Sequence, residues 1–168
     1  MVNKKNKELT EFSITKNLEQ LRSQLPLYKG DSFEPISSIG PNGAIIHYTA
    51  SETECSKMIP DQVYLLDSGG QFLDGTTDVT RTIHFTEPTE KEAEMYTRVL
   101  LGNLDIERTI WPEKQAYGPH DLACLARRWL WFAGEDYCHG TGHGIGHFSG
   151  VHECPPWIGR RKGEFKVG

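Results

Sequence analysis

The sequence has few cysteines, no long apolar run and no excess of basic residues, and each absence excludes a class of protein. None of its four cysteines forms a Cys-x-x-Cys pair, which argues against a structural zinc site and indicates reduced, buried thiols. No apolar stretch reaches membrane-spanning length, and no apolar signal core follows the basic N-terminus. We therefore expect an intracellular, cytoplasmic protein with no membrane partner.

Charge and length narrow the class further. The net charge of −5 at pH 7 argues against a general nucleic-acid binder, which needs a basic face. The 168 residues, 37% hydrophobic and 24% charged, are enough for one domain with a real core. The composition thus indicates an ordinary globular protein, and its function has to be inferred from local motifs.

Hydrophobic periodicity predicts three helices. Apolar side chains recur at helical spacing over residues 9–25, and a capping box at Thr89–Glu92 opens a second helix from about 90 to 110. A third helix is predicted over 121–133, where Gly134 ends it. The side chains expected on the inner faces of the second and third helices are Ala93, Tyr96, Leu100 and Leu104, then Leu122, Leu125, Ala126, Trp129 and Leu130.

Short strands are predicted around two turn signals. Residues 34–39 and 44–49 flank a Gly-Pro-Asn-Gly tetrapeptide. Farther along, an apolar run that ends at Asp67 and the run Thr77–Phe85 flank an Asp74-Gly75 step, which is a strong hairpin signal. The second run alternates and is rich in β-branched residues, as is typical of a strand.

Two aspartates lie on this predicted hairpin. Asp67 ends its first strand, and Asp78 lies near the start of its second. Neighbouring strands would bring the two carboxylates together, and two carboxylates on rigid strands suit a hard divalent cation. The alternative is that both residues merely end or edge strands.

A cluster of histidines follows the third helix. His139–His147 packs three imidazoles and four glycines into nine residues, a pattern that suits backbone passing close to a ligand. Imidazole transfers protons near neutral pH and ligates divalent metals. A structural role is the alternative for each ring and stays open for His147. Clustering, together with the two aspartates, favours function for His139, His143 and His152, and the carboxylate–imidazole mixture favours manganese or a similar ion over thiolate-bound zinc.

Four motifs resemble aminopeptidase P, the Xaa-Pro aminopeptidase of the M24 metallopeptidases, and most closely its eukaryotic cytosolic type. They occur in the family's order and at its spacing: Asn42–Tyr48, Leu66–Gln71, Asp74–Thr82 and His139–Gly146. Prolidase is similar in fold, but the Asp-Val-Thr-Arg-Thr and His-Gly-Thr-Gly-His runs resemble aminopeptidase P instead.

The resemblance implies a pita-bread α/β fold, a curved antiparallel sheet with helices on its outer face. It implies a metalloaminopeptidase that removes the N-terminal residue from peptides with a penultimate proline. The chemistry implied is a hydroxide activated between two divalent metal ions, usually manganese. Proline-containing peptides are the implied partners, and the resemblance is compatible with a homodimer of the full-length family protein.

The resemblance also implies two sets of site residues. Three positions match the family's metal ligands, the second of them bridging both ions: Asp67, Asp78 and His143. Three match its active-site histidines, which bind substrate and handle protons: His47, His139 and His152.

The sequence departs from the family pattern after His152. The family's last two metal ligands are glutamates downstream of this position, and neither Glu153 nor Glu164 matches them. We therefore expect residues 1–168 to be a single, C-terminally truncated M24 catalytic domain without the family's N-terminal domains, and to be inactive alone. The alternative is a non-catalytic pita-bread module that binds peptides or protein partners. The retained aspartates and histidines favour the enzyme, whereas the missing glutamates favour the module.

Overall fold

The computed structural model describes residues 8–110 and 119–159. Within these ranges the chain divides into two compact units, the first made of residues 8–88 and 145–151 and the second of residues 89–144 and 152–159. Both combine helices with antiparallel strands, so the predicted α/β class is confirmed. No described helix is both long and apolar enough to cross a membrane.

Antiparallel strands dominate the first unit. They form two three-stranded sheets, in the orders β1-β4-β5 and β2-β3-β6. The strands are β1 (Tyr28–Asp31), β2 (Ile36–Ile39), β3 (Val63–Ser68), β4 (Gly70–Phe72), β5 (Gly75–Thr76) and β6 (Val79–His84). The unit also contains helix α1 (Glu11–Arg22) and a 3₁₀ helix (Gly40–Ala44). Helix α1 lies inside the predicted range 9–25, and it begins at a capping box between Thr10 and Ser13.

Strands β3 and β6 are the predicted antiparallel neighbours. Asp67 of β3 lies opposite Thr80 of β6. The Asp74-Gly75 step does not connect them directly, however, because it closes the small β4–β5 hairpin in the other sheet. The chain changes sheets at Gly69, where a Cβ would collide with the Thr77 carbonyl oxygen, so only glycine fits this crossing.

The predicted strand over residues 44–49 is wrong. The chain enters the Gly40–Ala44 3₁₀ helix instead, with Pro41 in its first turn, where a fixed φ and a missing N–H are tolerated. Strand β2, which confirms the other half of that prediction, pairs with β3. The side chains of Asn42 and Tyr48 bond to a buried carboxylate, that of Glu11. Strand β1 was not predicted.

The second unit consists of two helices and a strand pair: α2 (Glu90–Glu107), α3 (Pro119–Trp131), β7 (Gly142–Gly144) and β8 (Glu153–Ile158). The predicted capping box is present, since the Glu92 carboxylate accepts from the Thr89 N–H at 2.7 Å and the Glu92 N–H donates to the Thr89 hydroxyl at 3.3 Å. The antiparallel pair β7–β8 aligns His143 with Trp157. Neither of these two strands was predicted.

The predicted inner face of α2 is wrong. Tyr96 and Leu100 are 54% and 45% exposed. Helix α2 instead packs on α3 through Gly102, where a Cβ would collide with the Ala126 carbonyl oxygen. The contact between α2 and α3 is therefore made where Gly102 lets the two backbones approach closely, and not through the apolar side chains predicted to face inward. On α3 the predicted inner face is confirmed at Ala126 and Leu130, which are buried, whereas Leu122, Leu125 and Trp129 are half-buried.

Candidate active site

Asp67 and Asp78 lie on neighbouring strands of the first unit. Asp67 is opposite Thr80, and Asp78 is the residue just before β6, two positions ahead of Thr80. Side chains two apart on a strand share a face, so extended backbone would place both aspartates on one face as diagonal neighbours. Such positions are about 7–8 Å apart, which two carboxylates can bridge around ions about 3.5–4 Å apart.

The donor atoms of these aspartates suit a hard cation. Both residues are half-buried, and the Oδ1 atom of Asp67 is shielded from solvent. Carboxylate oxygens are the ligands that manganese and magnesium prefer. Among the described residues, no three His, Cys, Asp or Glu side chains converge into a metal-binding group. The set Asp67, Asp78 and His143 draws on both units and stays a prediction.

His143 lies on β7 of the second unit, and the backbone orients its ring. Its Nδ1 atom is 2.9 Å from the Gly144 carbonyl oxygen. A carbonyl only accepts, so Nδ1 carries the proton and Nε2 the lone pair of the neutral ring. Metal-ligating histidines characteristically donate their other ring N–H to a carbonyl or carboxylate in this way, which favours Nε2 of His143 as a ligand atom.

The structure brings His152 against His143. Their ring centroids are 4.2 Å apart with an interplanar angle of 71°, an edge-to-face contact. His152 directly precedes β8, and His143 lies on the paired strand β7. Pairing of β7 with β8 therefore joins one predicted metal ligand to one predicted catalytic histidine.

His139 is exposed on the segment between α3 and β7. Its Nδ1 atom lies 2.7 Å from the Gly140 carbonyl oxygen, which assigns the proton to Nδ1 and the lone pair to Nε2. The ring also stacks on Tyr137, with centroids 4.7 Å apart. An exposed imidazole with a defined orientation and a basic Nε2 suits binding of substrate or transfer of a proton.

His47 is exposed on the loop that follows the 3₁₀ helix, in the first unit. Its φ of 59° lies in the left-handed region, which costs free energy for a residue other than glycine. Strain of this kind persists only where the surrounding structure holds it. His147 is also exposed; its carbonyl accepts from the Thr76 hydroxyl at 3.3 Å, and its function stays open.

The buried carboxylate of Glu11 anchors the loop that carries His47. Glu11 is fully buried, and its two oxygens accept from the Ile39 N–H at 2.7 Å, the Tyr48 hydroxyl at 2.7 Å and the Ser56 N–H at 2.7 Å. The pKa of Tyr48 is raised to about 12; burial is the larger cause and the hydrogen bond to Glu11 is the second. Sequence analysis missed Glu11, because a glutamate in the first turn of a helix is typical of an exposed terminus.

We expect Glu11→Gln to lower the free energy of unfolding by about 1–3 kcal/mol, because an amide presents N–H to one of the donors and leaves it unsatisfied. The measurement is urea unfolding at neutral pH. Glu19→Gln on the same helix is the control, since Glu19 is exposed and its ion pair among the described residues is with Lys16 of the same helix; its expected change is within about 0.5 kcal/mol. Equal stabilities of the two variants would contradict the anchoring role.

Comparison with known proteins defines the class. The model of metallopeptidase family M24 matches residues 1–168. The chain therefore belongs to metallopeptidase family M24.

The similar relatives are named as Xaa-Pro aminopeptidases. The chain is 50% identical over 167 residues to a probable Xaa-Pro aminopeptidase P of Neurospora crassa, covering 99% of this chain and 24% of that protein. It is 54% identical over 153 residues to the probable Xaa-Pro aminopeptidase P of Laccaria bicolor, covering 91% and 24%. The chain thus spans about a quarter of the length of these curated relatives.

Solved structures support the fold. The X-prolyl aminopeptidase of Caenorhabditis elegans, described as a cytosolic enzyme with a di-nuclear active site, matches with a TM-score of 0.84 and 40% identity, over 92% of this chain and 25% of that chain. Prolidase from Pyrococcus furiosus matches in fold, with a TM-score of 0.75 and 24% identity over 93% of this chain and 44% of that one. The predicted family and the pita-bread fold are confirmed.

Proposed function

We propose that residues 1–168 are part of the catalytic domain of a metal-dependent Xaa-Pro aminopeptidase, which removes the N-terminal residue from peptides with a penultimate proline. The observation that carries the proposal is the pairing of β3 with β6, because it sets Asp67 beside the start of the Asp78 strand in a chain of family M24. The names of the relatives support the reaction. Proline-containing peptides are the proposed partners, and the cytoplasm is the proposed location. The proposal is compatible with a homodimer of the full-length protein.

The proposed cofactor is a pair of divalent cations, with manganese favoured. Asp67 and Asp78 would contribute carboxylate oxygens, and His143 its Nε2 atom, which mixes hard and borderline donors. When bound, two such ions lower the pKa of a water molecule and polarise the carbonyl of the scissile bond. The di-nuclear site described for the Caenorhabditis elegans enzyme supports a pair of ions.

The chain's own histidines would handle substrate and protons. In the neutral ring His139 carries its lone pair on Nε2, so it can accept a proton there or, once protonated, donate one to the leaving proline nitrogen. His152, in edge contact with His143, would stabilise negative charge that develops on the carbonyl oxygen. His47 would bind the peptide from the anchored loop of the first unit.

A non-catalytic module that binds peptides is the second candidate. One observation favours it: among the described residues, no three His, Cys, Asp or Glu side chains form a group that could hold a metal ion. Such a module would bind proline-containing peptides equally well with and without manganese. The metal dependence of binding therefore separates the two candidates.

Manganese affinity tests the proposed ligands. In a protein that contains this chain and the downstream family segment, we expect Asp78→Asn to weaken manganese binding. The loss should exceed the about 10–100-fold that is typical when an outer-shell partner of a metal ligand is removed. Asp74→Asn is the matched control, because Asp74 is exposed on the β4–β5 turn. Calorimetric titration with manganese gives both affinities, and equal affinities would contradict the assignment of Asp78.

A further inference from the structure

Arg127 is a buried cation that the proposed chemistry does not use. It lies on α3, is 2% exposed, and donates from Nη1 to the Asp136 carboxylate and to the Tyr137 carbonyl, each at 2.6 Å. Its Nη2 donates to the His139 carbonyl at 2.6 Å. A buried guanidinium is tolerated only when acceptors compensate for its lost hydration. Here all three acceptors lie within the four residues 136–139.

The same guanidinium supports a stack of rings. Its Cζ atom lies 3.7 Å from the centroid of the Tyr137 ring, and the His139 ring is 4.7 Å from that centroid and tilted by 30°. The Tyr137 hydroxyl is 2.8 Å from the Thr141 hydroxyl, which fixes the far edge of the tyrosine. Since His139 is exposed, this stack and its bond to Gly140 are the described contacts that orient the imidazole.

The neighbouring Arg128 has a different environment. Its side chain is 46% exposed and pairs with Asp105 of α2 at 2.7 Å. The two arginines are adjacent on one helix, yet the hydrogen bonds described to residues 136–139 come from Arg127, and those of Arg128 go to Asp105. Arg128 is therefore a matched control for charge, helix position and side-chain size.

We infer that Arg127 is a positioning residue, which holds the backbone of residues 136–139 and thereby sets the orientation and the tautomer of the His139 imidazole. The three contacts require a planar fork of N–H donors, which lysine cannot supply from a single ammonium group. The inference rests on the proposed function insofar as it concerns catalysis by His139. The placement of the ring can be tested without any activity.

The test is nuclear magnetic resonance of the chain labelled with ¹⁵N-histidine, in an alkaline buffer in which imidazole rings are neutral. In the wild type and in Arg128→Lys we expect Nδ1-protonated His139, with ring-current shifts from Tyr137. In Arg127→Lys we expect a larger share of the Nε2-protonated form and loss of those shifts. Unchanged His139 resonances in a folded Arg127→Lys variant would overturn the inference, even if its unfolding temperature falls.

Asp136→Ala gives a second route if Arg127→Lys does not fold. It removes one of the three acceptors and leaves the guanidinium in place, so the His139 resonances are expected to move in the same direction by a smaller amount. Unchanged resonances in this variant would likewise overturn the inference.

A kinetic arm separates this inference from the proposed function. In a peptidase-competent protein, Arg127→Lys is expected to lower kcat by about 10–100-fold, as for other supporting partners, with manganese content unchanged and Arg128→Lys as active as wild type. Loss of manganese along with activity in Arg127→Lys would count against a role confined to His139. The two proposals can also fail separately. If the His139 resonances shift as expected but neither the wild type nor any variant cleaves an Xaa-Pro peptide, the proposed function is wrong and the positioning role of Arg127 is retained.

Discussion

The 168-residue chain is expected to show no manganese-dependent cleavage of an Xaa-Pro peptide, whereas the chain joined to the family segment with two further glutamates is expected to cleave it. The reason is ligand number and charge. The proposed ligands Asp67, Asp78 and His143 would supply two carboxylates and one imidazole, whereas hard cations of this kind each bind about six ligands. Two glutamates would add two negative charges to the proposed site for two dications.

The measurement is peptidase activity of the short and the extended chains side by side, with added manganese, on a peptide with penultimate proline and on its alanine analogue. The extended chain with both glutamates changed to glutamine is the control, because it restores the added segment without its charges. Its expected behaviour is that of the short chain. Robust metal-dependent cleavage by the short chain would show that the two glutamates are dispensable.

The elements predicted correctly carry their signals locally. The alternation of β-branched residues in β6 and the capping box of α2 each lie within a few neighbouring residues. The prediction that the Asp67 and Asp78 strands are neighbours came from the Asp74-Gly75 hairpin signal, and the pairing of β3 with β6 confirms it. What the hairpin signal could not specify is which strands the turn joins, and Asp74-Gly75 closes the β4–β5 hairpin instead.

The residues that sequence analysis missed depend on distant partners. Glu11 is buried because Ile39, Tyr48 and Ser56 converge on it from far along the chain, and no local pattern marks that convergence. Strand β7 is short and rich in glycine, and the β8 sequence contains two adjacent prolines, so β propensity alone does not indicate either strand. The proposed metal ligands and catalytic histidines were suggested by residue clustering and by motif resemblance, which indicate the residues involved but not the contacts that hold them.

The second large effect is expected at the histidines. In a peptidase-competent protein, His139→Ala and His152→Ala are expected to lower turnover by about 10²–10⁴-fold, the usual contribution of a general acid or base, and to keep their manganese. His143→Ala is expected to lose both, since the bond from Nδ1 to the Gly144 carbonyl puts the lone pair on Nε2, the proposed ligand atom. The three rings lie in one unit, so their different outcomes would reflect role and not location.

The measurement pairs kcat with manganese content per protein after dialysis. The contact between His143 and His152 makes the comparison demanding, because loss of either ring removes the edge-to-face packing at 4.2 Å. His152→Phe is therefore the matched variant, which keeps an aromatic ring against His143 and removes the nitrogen atoms. It is expected to retain manganese and to lack turnover. If His139→Ala loses manganese while His143→Ala retains it, the roles assigned to these two residues are reversed.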